Sequence, residues 1–247
     1  MTHSPDSPPL GELWRRYLEQ YADHEGDIAA QTLVAAHHAF GVFSALGRLL
    51  DPGGRYRPLI DQREAIFTEG CRHARTHPDR MLNAAFALYN ALNTLGHQLS
   101  GGNQEAAGLI AEVDARVRAE VAAAAPSARA GTALAACLPL LGLVTIAADG
   151  QEALTAAIRH VERRFADGMR AARTDRERLL CALYRMVEMV QLFALATDAG
   201  LRDRIDQIAT RFREEDRTGD EGLKERNGFC RLFELSHLLA VRVDTLL

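Results

Sequence analysis

The chain has 247 residues, 47% of them hydrophobic and 25% charged, with a net charge of −4. Those values exclude wholesale disorder, a collagen-like repeat and a disulfide-dense mini-protein. Within the globular class two biases stand out: 41 alanines, and 28 arginines against a single lysine, Lys224. Alanine and arginine are strong helix formers and aromatics make up only 6% of the chain, so composition points to an all-α protein with small residues at its helix contacts. The arginine excess itself reads as a bacterial-type codon preference.

Charge is not concentrated. Residues 1–124 carry 11 basic and 15 acidic groups, and residues 125–247 carry 18 of each. A nucleic-acid partner calls for a basic face, so none is expected. Cys71, Cys137, Cys181 and Cys230 form no CxxC pair, and no apolar leader stands near the amino terminus. They read as reduced, largely buried thiols of a cytoplasmic protein.

In chain order, MTHSPDSPP (1–9) reads as a disordered tail. Leu10, Leu13, Trp14, Tyr17, Leu18 and Tyr21 then recur at helical spacing. Helices are predicted near 29–50, 57–76, 79–98, 104–123, 128–148, 151–173, 175–198, 201–215 and 223–246. DPGG (51–54), HPD (77–79), SGGN (100–103), APS (125–127), DG (149–150) and TGDEG (218–222) separate them. Residues 130–148 lack any charge over nineteen positions, which is long enough to span a membrane. Pro139 interrupts that stretch, and its apparent counterparts carry His37, His38 and Arg48, or Glu234, His237 and Arg242, so it reads as a core helix and no membrane partner is expected.

Residues 67–84 (FTEGCRHARTHPDRMLNA) match 165–182 (FADGMRAARTDRERLLCA) at nine of eighteen positions, an offset of 98. Asp51 with Asp149, Ile60 with Ile158 and Glu64 with Glu162 extend the match, and RVR (116–118) meets RFR (211–213) after a three-residue deletion. The expectation is an internal duplication of about 98 residues, each copy two helical hairpins, stacked as an α-solenoid or a pseudo-symmetric bundle. One continuous domain would comprise a first unit (10–124), a second (125–222) and a capping helix (223–247).

ALGRLLDPGGRYRPL (45–59) and LNTLGHQLSGGNQEAAGLI (92–110) resemble tetratricopeptide repeats in their Leu-Gly openings and small residues. The likeness covers about 60 residues, without the 34-residue period or the usual proline after the second helix. It implies helix-hairpin packing and a concave face that binds a peptide or partner protein.

Asn83, Asn90, Asn93 and His97 fall within an arc of about 80° on one helix. The matching helix carries Cys181, Tyr184, Glu188 and Gln191. Paired polar positions on two apolar helices suggest a groove lined by Asn90, Asn93, His97, Tyr184, Glu188 and Gln191, where amides can serve a peptide backbone. The leading expectation is therefore a protein- or peptide-binding helical-repeat adaptor with no cofactor, and a homo-oligomer is compatible with it.

A helical metal- or cofactor-dependent enzyme is the alternative. Glu234 and His237 have the ExxH spacing of di-iron bundles, and His73 with His77 near Cys71 could hold zinc, but a full ligand set is missing from both. Residues 159–178 carry a net +3 with interleaved acids, as a salt-bridged face does. The matched arginines Arg72/Arg170, Arg75/Arg173 and Arg80/Arg178 read as structural. No phosphate loop, nucleophile elbow or HExxH occurs.

Overall fold

The computed structural model describes residues 10–148 and 152–247; the expected tail at 1–9 and the turn at 149–150, with Asp149, lie outside them. Among the described residues there is no strand. The helices are α1 (Leu10–Asp23), α2 (Ile28–Leu49), α3 (Arg57–His73), α4 (His77–Leu99), α5 (Gln104–Ala123), α6 (Arg129–Ala135), α7 (Cys137–Ala148), α8 (Glu152–Ala171), α9 (Asp175–Thr197), α10 (Arg202–Thr218) and α11 (Glu221–Leu246).

Local chemistry sets most of the boundaries. Thr76 and Asp79 cap α4 reciprocally, as Thr174 and Glu177 cap α9, so side chains satisfy amides that the first turn leaves free. Asp27 caps α2 through Ala30 N, and Asp220 caps α11 through Leu223 N. Ahead of α3 the Asp51 carboxylate accepts from the amides of Arg55, Tyr56 and Arg57 at 2.7–3.0 Å. The single helix expected over 128–148 is divided at Ala136 into α6 and α7. Pro139 has no amide proton, and its ring would clash with the Ala135 carbonyl.

The helices pair as outer and inner members. Each outer helix lies on the inner helix that follows it: α1 on α2, α3 on α4, α5 on α6, α8 on α9 and α10 on α11. The inner helices form a closed circuit, in which α2 packs on α4, α4 on α6 and α7, these on α9, α9 on α11, and α11 back on α2. The last seam is the most extensive of all, so α11 is held between α9 and α2 and does not end an open stack.

Contacts at the ends show that the inner helices run parallel. Gln98 at the end of α4 donates to the Gly47 carbonyl at the end of α2. Ser127, just before α6, donates to Asp175 at the start of α9. Gly222 at the start of α11 lies beside Ile28 at the start of α2.

Apolar side chains fill the interior, with Phe43, Leu46, Leu88, Leu92, Leu141, Leu183, Phe229 and Phe233 fully buried. Buried alanines (Ala35, Ala36 and Ala39 on α2, Ala84 and Ala85 on α4) face the neighbouring helices, which gives the alanine bias its structural role. At Gly131 a Cβ would lie 3.3 Å from the backbone of Leu179, a tight contact that glycine avoids where α6 crosses α9. Among the described residues, the two stretches apolar enough to cross a membrane by length and composition, Arg129–Ala147 and Asp175–Thr197, are members of this inner ring.

Candidate functional site

Because the inner helices are parallel, their amino termini gather at one mouth of the ring. A cleft of about 440 Å³ opens there, lined by Ile28, Ala29 and Thr32 of α2, His77 of α4, Arg176 of α9, and Glu221, Gly222 and Glu225 of α11 with the capping Asp220. Four helix starts thus converge, and each brings the partial positive charge of its free amides. The acids on α11 offset that charge.

Arg176 spans the cleft. Its Nη2 lies 3.3 Å from Glu225 Oε2, and its Nε lies 3.9 Å from Glu221 Oε2. Glu225 is 8% exposed, and burial pushes its carboxyl above the usual range. Arg176 and His77 pull it the other way, and Glu221 adds to the upward shift. Asp220 is committed to the Leu223 amide, and Thr32 donates to the Ile28 carbonyl. The resulting chemistry is a carboxylate pair holding one guanidinium in a half-enclosed, net acidic space. It suits recognition of a cationic group.

The sequence pattern gave Glu221 and Glu225 no role, placed Arg176 in the salt-bridged run at 159–178, and took His77 as part of a turn and as a zinc candidate. A local signal was available: His77 and Arg176 are basic groups in the first turn of helices, where the dipole favours acids.

The six groove residues lie elsewhere. On α4, Asn93 is buried, while Asn90 and His97 are half-buried. The Asn90 carbonyl accepts from Thr94, and the His97 carbonyl accepts from Tyr56 and Ser100. On α9, Tyr184 donates to the Lys224 carbonyl at 3.2 Å under the Arg231 guanidinium. Glu188 pairs with Arg164 at 3.0 Å and Arg185 at 2.6 Å, and Gln191 is half-buried. Helices α6 and α7 pack against both α4 and α9 and so stand between the two sets of residues.

Intramolecular bonds also occupy the metal candidates. Glu234 pairs with Arg211, and His237 Nε2 donates to the Leu10 carbonyl at 2.9 Å. His73 lies 2.6 Å from Glu69, and His77 faces the cleft. Among the described residues no group of three His, Cys, Asp or Glu side chains is placed to hold a metal ion. Three of the six matched arginines form pairs within their own helices near the surface, Arg72 with Glu69, Arg170 with Asp167 and Arg178 with Asp175, which contribute little energy.

No protein-family model, curated protein or solved structure matches this chain.

Proposed function

We propose that this protein is a binding module, an adaptor that takes a peptide or protein segment at the mouth of the helical ring and admits a basic side chain of the partner to the cleft. The observation that carries the reading is the cleft itself. It is the site where side chains from four inner helices converge on open space, and its acids exceed its bases. Arg176 of the chain already pairs with these carboxylates, which supports a basic side chain as the group the cleft would take.

We also read the ring as the product of duplication. Helices α4 and α9 have equal length and begin 98 residues apart behind the equivalent caps Thr76 and Thr174. The side chain of Asn83 donates to the Phe67 carbonyl, and Cys181 at the matching position points its thiol at the Phe165 carbonyl. Gly70 and Gly168 make the same close approach to these two side chains.

The test is selection of random peptides displayed against the immobilised chain. Arginine- or lysine-bearing sequences should be enriched, and Glu221→Gln with Glu225→Gln should weaken the best of them about tenfold or more, the loss of a charge-assisted contact. Binding that survives those changes but disappears in Asn90→Ala with Glu188→Ala would move the site to the polar stripe. Stoichiometric iron, zinc or manganese in the purified protein would overturn the non-enzymatic reading.

A further inference from the structure

Arg176 belongs to the first turn of α9, yet its guanidinium crosses the seam between α9 and α11 to the start of α11. One edge of that planar group faces two carboxylates, with Nη2 toward Glu225 and Nε toward Glu221. Glu221 and Glu225 are four residues apart on one helix, so their side chains leave the same face a turn apart.

The helix surface between the two acids is bare. A Cβ at Gly222 would lie 3.1 Å from Arg176 Nη2 and 3.3 Å from Asp220 Oδ1, so glycine gives the guanidinium room to lie against α11. Asp220 accepts from the Leu223 amide, which leaves the two glutamates to hold the cation. Ile28 and Ala29 of α2 supply an apolar wall for the stem of a long basic side chain.

This arrangement distinguishes the two kinds of basic side chain. A guanidinium carries its N–H donors in a fixed plane and meets two separated carboxylates along one edge. An ammonium is a compact, strongly hydrated point charge, and it gains less from acceptors spaced in this way.

Arg176 holds the pair loosely. Its contacts at 3.3 and 3.9 Å are longer than charge-assisted bonds of about 2.7–2.9 Å, and 48% of the side chain is exposed at both Arg176 and Glu221. Such a pair contributes little, so the guanidinium can turn out to water at small cost. A second guanidinium entering beside it would be repelled by the like charge, and the two exclude one another.

Resting on the reading of this cleft as the place of a partner's basic side chain, we infer that the cleft selects arginine over lysine and that Arg176 is its internal occupant, displaced when the partner's arginine enters. The partner is thereby a segment that presents an arginine, and Arg176 sets its affinity by competing for Glu221 and Glu225.

The test is calorimetric titration of the full chain at pH 8, above the ordinary carboxylate range, with two monocations, N-acetyl-arginine amide and N-acetyl-lysine amide. Arg176→Ala frees the pair and should tighten the arginine probe about tenfold over the unmutated chain, the gain from removing a charge-assisted competitor. In that variant the arginine probe should bind at least about tenfold tighter than the lysine probe. Gly222→Ala added to Arg176→Ala keeps both glutamates but fills the floor, and it should weaken the arginine probe and narrow its margin over lysine. Equal binding of the two probes to Arg176→Ala would overturn the arginine selection and leave the basic-side-chain reading in place. No gain from Arg176→Ala would overturn its role as occupant and reduce it to a tie between α9 and α11. Failure of both probes to bind either form would overturn the inference together with the reading it rests on. Arg176→Gln, which keeps part of the stem, replaces Arg176→Ala if the latter folds poorly, with the same outcomes expected.

Discussion

Gly70→Ala tests the closest crossing of α3 over α4. A Cβ at Gly70 would lie 2.6 Å from Asn83 Cγ and 2.9 Å from Nδ2, and closer still to Oδ1. Asn83 cannot turn aside freely, because its Nδ2 donates to the Phe67 carbonyl at 3.0 Å and to Cys71 Sγ at 3.3 Å. Displacing the amide forfeits about 1 kcal/mol of hydrogen bonding, and overpacking adds about 1–3 kcal/mol. Against this, replacing glycine by alanine within a helix gains about 1 kcal/mol. The net expectation is a loss of about 1–3 kcal/mol, measured by urea unfolding with an unchanged slope. In an Asn83→Ala background the obstruction is gone, and the same substitution should become neutral or stabilise by up to about 1 kcal/mol. The sign reversal is the diagnostic result. If Gly70→Ala costs the same in both backgrounds, the Asn83 crossing does not explain the glycine and the argument fails. Gly168→Ala, whose Cβ would meet Cys181 Sγ, should show the same reversal in Cys181→Ala, with a smaller amplitude because the thiol is a weak donor 3.8 Å from its carbonyl.

Two further outcomes are expected. Asp51→Ala removes one acceptor from three backbone amides and should cost about 2 kcal/mol, with amide exchange at Arg55, Tyr56 and Arg57 accelerating before that of the α3 interior; equal acceleration throughout α3 would argue against a local cap. His37 packs edge-on to Phe67 at 5.0 Å, and burial, with His38 and Arg80 nearby, pushes it down to about 4. Its folded value lies below the free 6.5, so its contribution is complete above that pH and is lost as pH falls toward 4, about 2 kcal/mol of it between pH 7.5 and pH 5. His37→Gln should remove that part of the pH dependence of the urea midpoint, and an unchanged pH profile would refute the assignment.

The helices were legible because their signals are local. Leu13, Trp14, Tyr17 and Tyr21 mark the buried face of α1 by spacing alone, and SGGN ends α4 where Gly101 and Gly102 take positive φ. Errors arose where one signal hid another. HPD reads as a turn, yet Pro78 is tolerated in the first turn of α4 behind Thr76, so the helix starts at His77 and not at 79. The uncharged run over 130–148 masked the break that Pro139 imposes. The circuit closed by α11 on α2 joins residues some 200 positions apart, and neither helix carries a local mark of that partnership.

The polar stripe shows the same limit from the side of function. Periodicity places Asn90, Asn93 and His97 on one face, but what that face meets depends on helices arriving from elsewhere in the chain. The mouth of the ring reverses the case. Taken alone, His77 and Arg176 are poorly placed basic groups at helix starts. Parallel packing of the inner helices brings them opposite Glu221 and Glu225 of α11, whose acids outweigh them across a cleft. Their positions conflict with the electrostatics of their own helices and agree with those of the assembled ring, so the reason for them lies in tertiary packing and not in the local sequence.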